Sequence, residues 1–365
     1  MRIALVGPAH PYKGGGARHT TELAHRLAAV GHDVIIESWR AQYPQRLYPG
    51  QQTVDVPEGE PYPRTHRRLA WYRPDGWLAE GRRLRTADLV VFVLLTPIQV
   101  PAYLTIMSTL GRTRTAVICH NVLPHERRPG DVALVRALLS RTGAVVTHSA
   151  AQAAQAKDLV PAATVRTAAM PPHLPATVPH IQNQAAERAA SPAPSTRLLF
   201  FGIVRPYKGL DILLRALAES PPHVTLTVAG EFWSGRTQLE DLVAELGLRD
   251  RVTLRPGYVP ADQLPELFAS ADALVLPYRE ATASQNALLA FAHGIPVVTT
   301  TAGALAEAVR DGVDGLTCAP GDTGDLARAL TEISDPQTLS RLRAGVPAVD
   351  PGPGWAAYLR VLLAA

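Results

Sequence analysis

Cysteine is scarce: two in 365 residues, Cys119 and Cys318. Two are too few for a disulfide framework and belong to no spaced metal-ligand set, so a reducing cytoplasm is the expected setting. No apolar run approaches the ~20 residues needed to cross a bilayer. The first, Ile3 to Val6, is too short for a signal-peptide core and reads as a strand. Also absent is the dinucleotide fingerprint G-x-G-x-x-G: Gly14-Gly15-Gly16 is followed by Ala17-Arg18-His19. That absence argues against a nicotinamide-dependent oxidoreductase.

The formal charge is +4, and it is unevenly spread. The segment 64–85 holds Arg64, Arg67, Arg68, Arg73, Arg82, Arg83 and Arg85 against Asp75 and Glu80, a net +5. Trp71, Tyr72 and Trp77 sit among them. Two readings stand: a solvated helix pair capping the first domain, or a basic aromatic face for peripheral contact with anionic lipid or for an acidic acceptor. No nucleic-acid motif accompanies the charge, so nucleic acid is not an expected partner.

Short β-branched runs alternate with amphipathic stretches, the pattern of parallel α/β architecture. In the first half strands are expected at Arg2–Gly7, Asp33–Glu37, Leu89–Leu95, Ala116–Cys119 and Ala144–Thr147. The clearest helix, Ala17–Val30, stops at Gly31. From Pro171 to Thr196 the chain is rich in Pro, Ala and Ser and loses its period, as a linker does. The pattern then restarts, with strands at Leu198–Ile203, Val224–Ala229, Val252–Leu254, Ala273–Leu276 and Pro296–Thr299. Helices follow at about Gly209–Glu219, Thr237–Leu246, Gln263–Ala269 and Ser284–Ala292. Both halves open alike: strand, Pro-Tyr-Lys-Gly turn (Pro11–Gly14 and Pro206–Gly209), helix.

Open parallel sheets bind ligands outside the carboxyl ends of their strands, so the loops there are the ones to read. Gly15 and Gly16 follow the first strand and let an anion or a sugar approach the backbone; an ordinary flexible turn is the plain alternative. Arg205 and Lys208 flank the turn after Leu198–Ile203. One planar and one compact cation beside a helix start suit a diphosphate; a solvated basic turn is the alternative. Glu280, Ser284, Gln285 and Asn286 lie where the strand Ala273–Leu276 gives way to a helix. They offer hydroxyl, amide and N–H groups to phosphate or ribose, although Ser284 serves equally as an N-cap. His120 follows Ala116–Cys119, where an imidazole would point into a ligand crevice.

At these motifs the chain resembles the retaining glycosyltransferases of family 4 (group 1), whose fold is called GT-B. The stretches that carry the resemblance are Gly202–Asp211, Val228–Trp233, Leu276–Thr282, Ala290–Val298 and Gly312–Leu316 with Pro320-Gly321-Asp322; Cys119–Glu126 resembles a stretch of one branch. The resemblance implies two Rossmann-like parallel-sheet domains facing a central cleft. Residues 1–170 would bind the acceptor, 171–196 link the domains, 197–350 bind the nucleotide sugar, and 351–365 form a helix crossing back to the first domain.

The activity implied is transfer of a sugar from a UDP- or GDP-sugar to an acceptor hydroxyl, the acceptor being a small molecule, glycan or lipid. Arg205 and Lys208 would hold the diphosphate, Gly15 and Gly16 would lie against the diphosphate or sugar, and His120 would line the sugar pocket. Glu231, Tyr258, Val259, Glu280, Ser284, Gln285 and Asn286 would surround the nucleotide. No Asp-x-Asp follows a strand, so neither metal nor cofactor is expected. A bacterial, cytoplasmic enzyme, with any membrane contact at the inner face, is the expected context. Many members carry two glutamates in the helix-opening motif; the aligned positions here are Ala281 and Leu289. That departure keeps two alternatives open, a sugar-nucleotide epimerase and a non-catalytic sugar-nucleotide-binding protein.

Overall fold

The computed structural model describes residues 1–44, 52–54, 59–124, 127–173, 195–233, 235–281, 285–303 and 305–365. The chain forms two units, one of Met1–His173 with Pro351–Ala365, the other of the described residues between Leu174 and Asp350.

The first unit holds a seven-stranded sheet: β1 (Arg2–Val6), β2 (Asp33–Ala41), β3 (Thr65–Ala70), β4 (Leu89–Leu94), β5 (Arg114–Cys119), β6 (Ala144–Thr147) and β7 (Val165–Thr167). Their order is β3-β2-β1-β4-β5-β6-β7 and every pairing is parallel. The second unit holds β8 (Thr196–Phe201), β9 (Val224–Gly230), β10 (Val252–Pro256), β11 (Ala273–Leu276), β12 (Val297–Thr300) and β13 (Gly315–Cys318). Their order, β10-β9-β8-β11-β12-β13, is again wholly parallel. In both sheets the strand order reverses beside the first strand, the Rossmann-like arrangement.

Helices cover both faces, which is why the central strands read as unbroken apolar runs. Every residue of β4 is buried. Val90, Phe92 and Leu94 enter one core layer; Leu89 and Val91 enter the other. The terminal helix Pro351–Leu363 buries Trp355, Tyr358, Leu359 and Leu362 in the latter layer, with Ile3, Leu5 and Ile118.

Three strands depart from the expected set. β7 is three residues long, and β13 opens on Gly315, which lacks a β-forming side chain. The third is β3, Thr-His-Arg-Arg-Leu-Ala, on the sheet edge, where a charged outer face is tolerated. The basic segment is therefore a strand followed by the helix Pro74–Arg83, not a helix pair. Several of its arginines are held by acids. Arg64 pairs with Asp33, Arg68 with Glu37 at 2.8 Å, Arg83 with Glu80 at 3.1 Å and Arg73 with Asp75 at 2.6 Å. Two of those acids, Asp33 and Glu37, belong to β2, outside the segment.

At the expected linker, Thr196 already belongs to β8, whereas Pro172 and His173 pack within the first unit. Residues 174–194 lie outside the described residues. Among the described residues no helix is long and apolar enough to cross a membrane.

Candidate functional site

In the second unit the loop after β8 is a single 3₁₀ turn, Pro206–Lys208, closed by Gly209 in the left-handed region (φ +67°). A Cβ on Gly209 would lie 2.1 Å from Pro277 O, so position 209 admits only glycine. This close approach sets the turn against the end of β11. Arg279 fastens it there: its N–H donates to Tyr207 O (2.8 Å), and its guanidinium donates to Pro206 O (2.6 Å) and to both oxygens of Asp211 (2.9 and 2.6 Å).

Lys208 is half-buried, and its Nζ lies 5.3 Å from the centre of the Tyr278 ring. Burial lowers its pKa from the ordinary lysine value; Tyr207 opposes that shift and Arg205 adds to it. A Cβ placed on Gly202 would meet Lys208 Nζ at 3.3 Å and Asn286 Nδ2 at 3.5 Å, so the ammonium and the amide converge above this glycine. Asn286 also donates to Phe201 O at 3.0 Å, a backbone anchor that sets its direction. Arg205 lies over the rings of Trp233 (5.0 Å) and Tyr207 (5.8 Å). A guanidinium stacked this way keeps its charge and its planar donor edge.

The other expected residues take varied places. Glu231 is half-buried and its carbonyl accepts from Val204 N at 2.8 Å. Tyr258 and Val259 are half-buried after β10, Val259 against the core. Glu280 is exposed, and Gln285 occupies the N-cap position of the helix Asn286–Ala292 without a side-chain capping bond. Ser284 lies outside the described residues. Asp211 and Arg279 both lie in stretches that carry the resemblance, but their pairing had no signal, since an Arg and an Asp 68 residues apart show no local pattern.

In the first unit, Gly15 opens the helix Gly15–Ala29 and has nothing within 4 Å of a Cβ placed on it. Gly16 differs: its Cβ would sit 2.4 Å from Leu95 Cδ2, so a larger residue there would have to displace the half-buried Leu95 side chain.

His120 belongs to an unforeseen cluster. Its ring meets His19 edge-on (centroids 5.0 Å) and His148 at 5.1 Å, and its buried Nε2 has no hydrogen-bond partner among the described residues. The residue as a whole is half-buried. Gln152 clamps two of these loops, donating to His120 O (2.9 Å) and accepting from His148 N (2.8 Å). His19, fully buried, bonds His173 Nε2 through Nδ1 and Tyr358 Oη through Nε2, both at 3.0 Å, and stacks on Trp355. Burial drives the pKa of His19 and His120 well down, helped by the neighbouring imidazoles. Burial brings His148 to about 4, with Ala168 O opposing the shift. A neutral ring with one donor and one acceptor nitrogen suits these partners. Among the described residues no three His, Cys, Asp or Glu are grouped to hold a metal ion.

A family model described as "Glycosyl transferases group 1" matches residues 195–335, and one described as "Glycosyltransferase Family 4" matches 13–169. D-inositol 3-phosphate glycosyltransferase 1 of Catenulispora acidiphila is 32% identical over 71% of this chain and 64% of its own length, so the match spans just under two thirds of that relative. The D-inositol 3-phosphate glycosyltransferase of Acidothermus cellulolyticus is 29% identical over 92% of this chain and 81% of its own. Among solved structures, sucrose-phosphate synthase from Thermosynechococcus elongatus superposes with a TM-score of 0.77 at 19% identity. Anabaena HepE, in complex with UDP and glucose, gives 0.74 at 18%. Both alignments cover 100% of each chain. Fold and sequence together define a glycosyltransferase of the GT-B class. The chain belongs to the group 1 glycosyltransferases of family 4.

Proposed function

We propose that this protein transfers a sugar from a nucleoside-diphosphate sugar to an acceptor hydroxyl with retention at the anomeric carbon. In this reading residues 197–350 hold the donor and residues 1–170 the acceptor. The observation that carries it is the convergence of Lys208 Nζ and Asn286 Nδ2 over Gly202 at the end of β8. That is a preorganised cationic and amide cradle of the kind a diphosphate needs. As the bond from the anomeric carbon to the diphosphate oxygen breaks, Lys208 and Arg205 stabilise the charge left on the diphosphate. The acceptor oxygen forms the new bond, and its proton passes to the departing phosphate. No metal takes part, a reading prompted by the missing Asp-x-Asp.

UDP in HepE and inositol phosphate in the names of the relatives support a UDP-sugar donor and a polyol acceptor. The exposed side chains of Trp71, Tyr72 and Leu78 support a peripheral contact with an anionic membrane surface. Ala281 and Leu289, at the positions of the family's glutamates, favour one rival, a protein that binds the nucleotide without turnover.

A thermal-shift panel of UDP, GDP, ADP and their sugars identifies the donor, because a ligand selective for the folded state raises its stability. With that donor, Lys208→Ala is expected to lower turnover about 10²–10³-fold with the fold intact, and EDTA to leave the wild-type rate unchanged. Wild-type-like turnover in the variant would falsify the leaving-group role. Donor binding without any turnover in the wild type would select the non-catalytic rival.

A further inference from the structure

A half-buried ammonium has given up part of its hydration, and a compensating partner is required, most often a carboxylate. Among the described residues no carboxylate pairs with Lys208 Nζ, and none is among the groups that shift its pKa. Asp211, in the helix that follows, is held by Arg279, and Glu280 is exposed. Thr282, Ala283 and Ser284 add no acid to the next loop. Arg205 and Tyr207 are the other charged or titratable groups of its turn, and the amide of Asn286, which converges on it, does not titrate. The group that meets the ammonium is the ring of Tyr278, whose centre is 5.3 Å from Nζ, inside the ~6 Å reach of a cation–π contact.

That ring is fixed by the ends of two strands. Tyr278, just after β11, is 3% exposed and packs in the core of the second unit. Its carbonyl accepts from the buried hydroxyl of Thr300, at the end of β12, at 2.6 Å. The next N–H, of Arg279, donates to Tyr207 O at 2.8 Å, and the Tyr207 ring meets Tyr278 edge-on with centroids 6.2 Å apart.

We infer that Tyr278 is a positioning residue of the donor site: its π face seats the Lys208 ammonium over Gly202 in place of a carboxylate and leaves the charge for a diphosphate. The inference rests on the donor reading above and deepens it. A carboxylate would stabilise the ammonium, but it would cancel its field and compete with phosphate for its three N–H groups. An aromatic face attracts the cation through its quadrupole and carries no net charge. It also grips from one side, so N–H groups on the other side stay available. Burial lowers the pKa of Lys208 and Arg205 adds to that; the π face favours the charged form and opposes both. Arg205 lies over the rings of Trp233 and Tyr207, so both cations of the turn rest on aromatic faces.

The test uses the scarcity of lysine. The chain has three, Lys13, Lys157 and Lys208, so protein labelled with carbon-13 at lysine Cε gives three signals, and Lys208→Arg identifies the one to follow. That signal is titrated without nucleotide in wild type, Tyr278→Phe, Tyr278→Leu and a form carrying trifluorophenylalanine at position 278, which keeps the ring's shape and depletes its π face. Tyr278→Phe should titrate close to wild type. The pKa of Lys208 should fall in the trifluorinated form and further in Tyr278→Leu, by about one unit in all, a tenfold loss of proton affinity. Affinity for UDP or GDP, whichever binds the wild type, should be lost at correspondingly lower pH in those two forms. Identical titration of the Phe and trifluorinated forms would overturn the inference, and that comparison decides even where Tyr278→Leu fails to fold. Wild-type-like diphosphate affinity in Lys208→Ala, or binding of neither diphosphate by the wild type, would instead strike the donor reading, so the two failures are distinct.

Discussion

Arg279 holds both carboxylate oxygens of Asp211, at 2.9 and 2.6 Å, and so ties the end of β11 to the first turn of the helix behind Lys208. Both side chains are 39% exposed, and exposed ion pairs contribute at most about 1 kcal/mol. The value of this pair therefore lies in where it holds the Arg205–Gly209 turn.

Arg279→Ala is accordingly expected to shift melting by no more than about 4 °C while raising the donor KM roughly tenfold, about 1.4 kcal/mol of lost positioning. Asp211→Asn should do the same, and the double variant little more. Steady-state kinetics with a donor titration checks this; additive losses would mean the two residues act separately.

The imidazole cluster makes the first domain acid-sensitive. His148 has a folded pKa of about 4, below the ordinary 6.5. Its contribution to stability is therefore complete above pH 6.5 and is lost as pH falls toward 4, roughly 3 kcal/mol across that window. His148→Asn retains a donor for Ala168 O but does not titrate. Urea unfolding at several pH values should show wild type losing stability relative to this variant below pH 6.5; parallel curves would refute it.

The same domain carries the opposite dependence at Glu37, which is 1% exposed. Burial, then the neighbouring Glu80, pushes its pKa well above the carboxylate range, against the pull of Arg68 and Arg83. A raised folded pKa gives stability that is complete below the unfolded value and is lost as pH rises through the folded one. Glu37→Gln should therefore gain stability relative to wild type on the alkaline side of neutrality. A difference independent of pH in the same unfolding series would rule out a proton held at Glu37.

Trp71 and Tyr72, 39% and 52% exposed, are expected to carry any membrane contact, because the neighbouring arginines are largely engaged with protein acids. Co-sedimentation with phosphatidylglycerol vesicles should fall several-fold in the Trp71→Ala, Tyr72→Ala double variant. Failure of the wild type to sediment with those vesicles would remove the contact from the reading.

Terminal-helix docking is testable through Tyr358, whose hydroxyl meets the fully buried His19. Tyr358→Phe leaves a buried nitrogen unpaired, at a cost of about 1–3 kcal/mol in chemical denaturation. No loss would mean the ring alone docks the helix.

The central strands were legible because burial on both faces demands unbroken apolar runs, as in Leu89–Leu94 and Ala273–Leu276. Thr65–Ala70 was not, because an edge strand needs only one partner and tolerates arginines. The turn Arg205–Gly209 was legible as a cationic loop after a strand. Its fastening by Arg279, and the seating of Asn286 on Phe201 O, join positions 68 to 85 residues apart.

Taken alone, the order of residues determined two parallel α/β domains and the loops that end their strands, since periodicity and turn chemistry are local properties of the chain. Only tertiary structure decided that His120 packs beside His19 and His148, and that several arginines of 64–85 are held by acids. Each of these depends on which distant side chains meet and exclude water, and no local pattern encodes such a meeting.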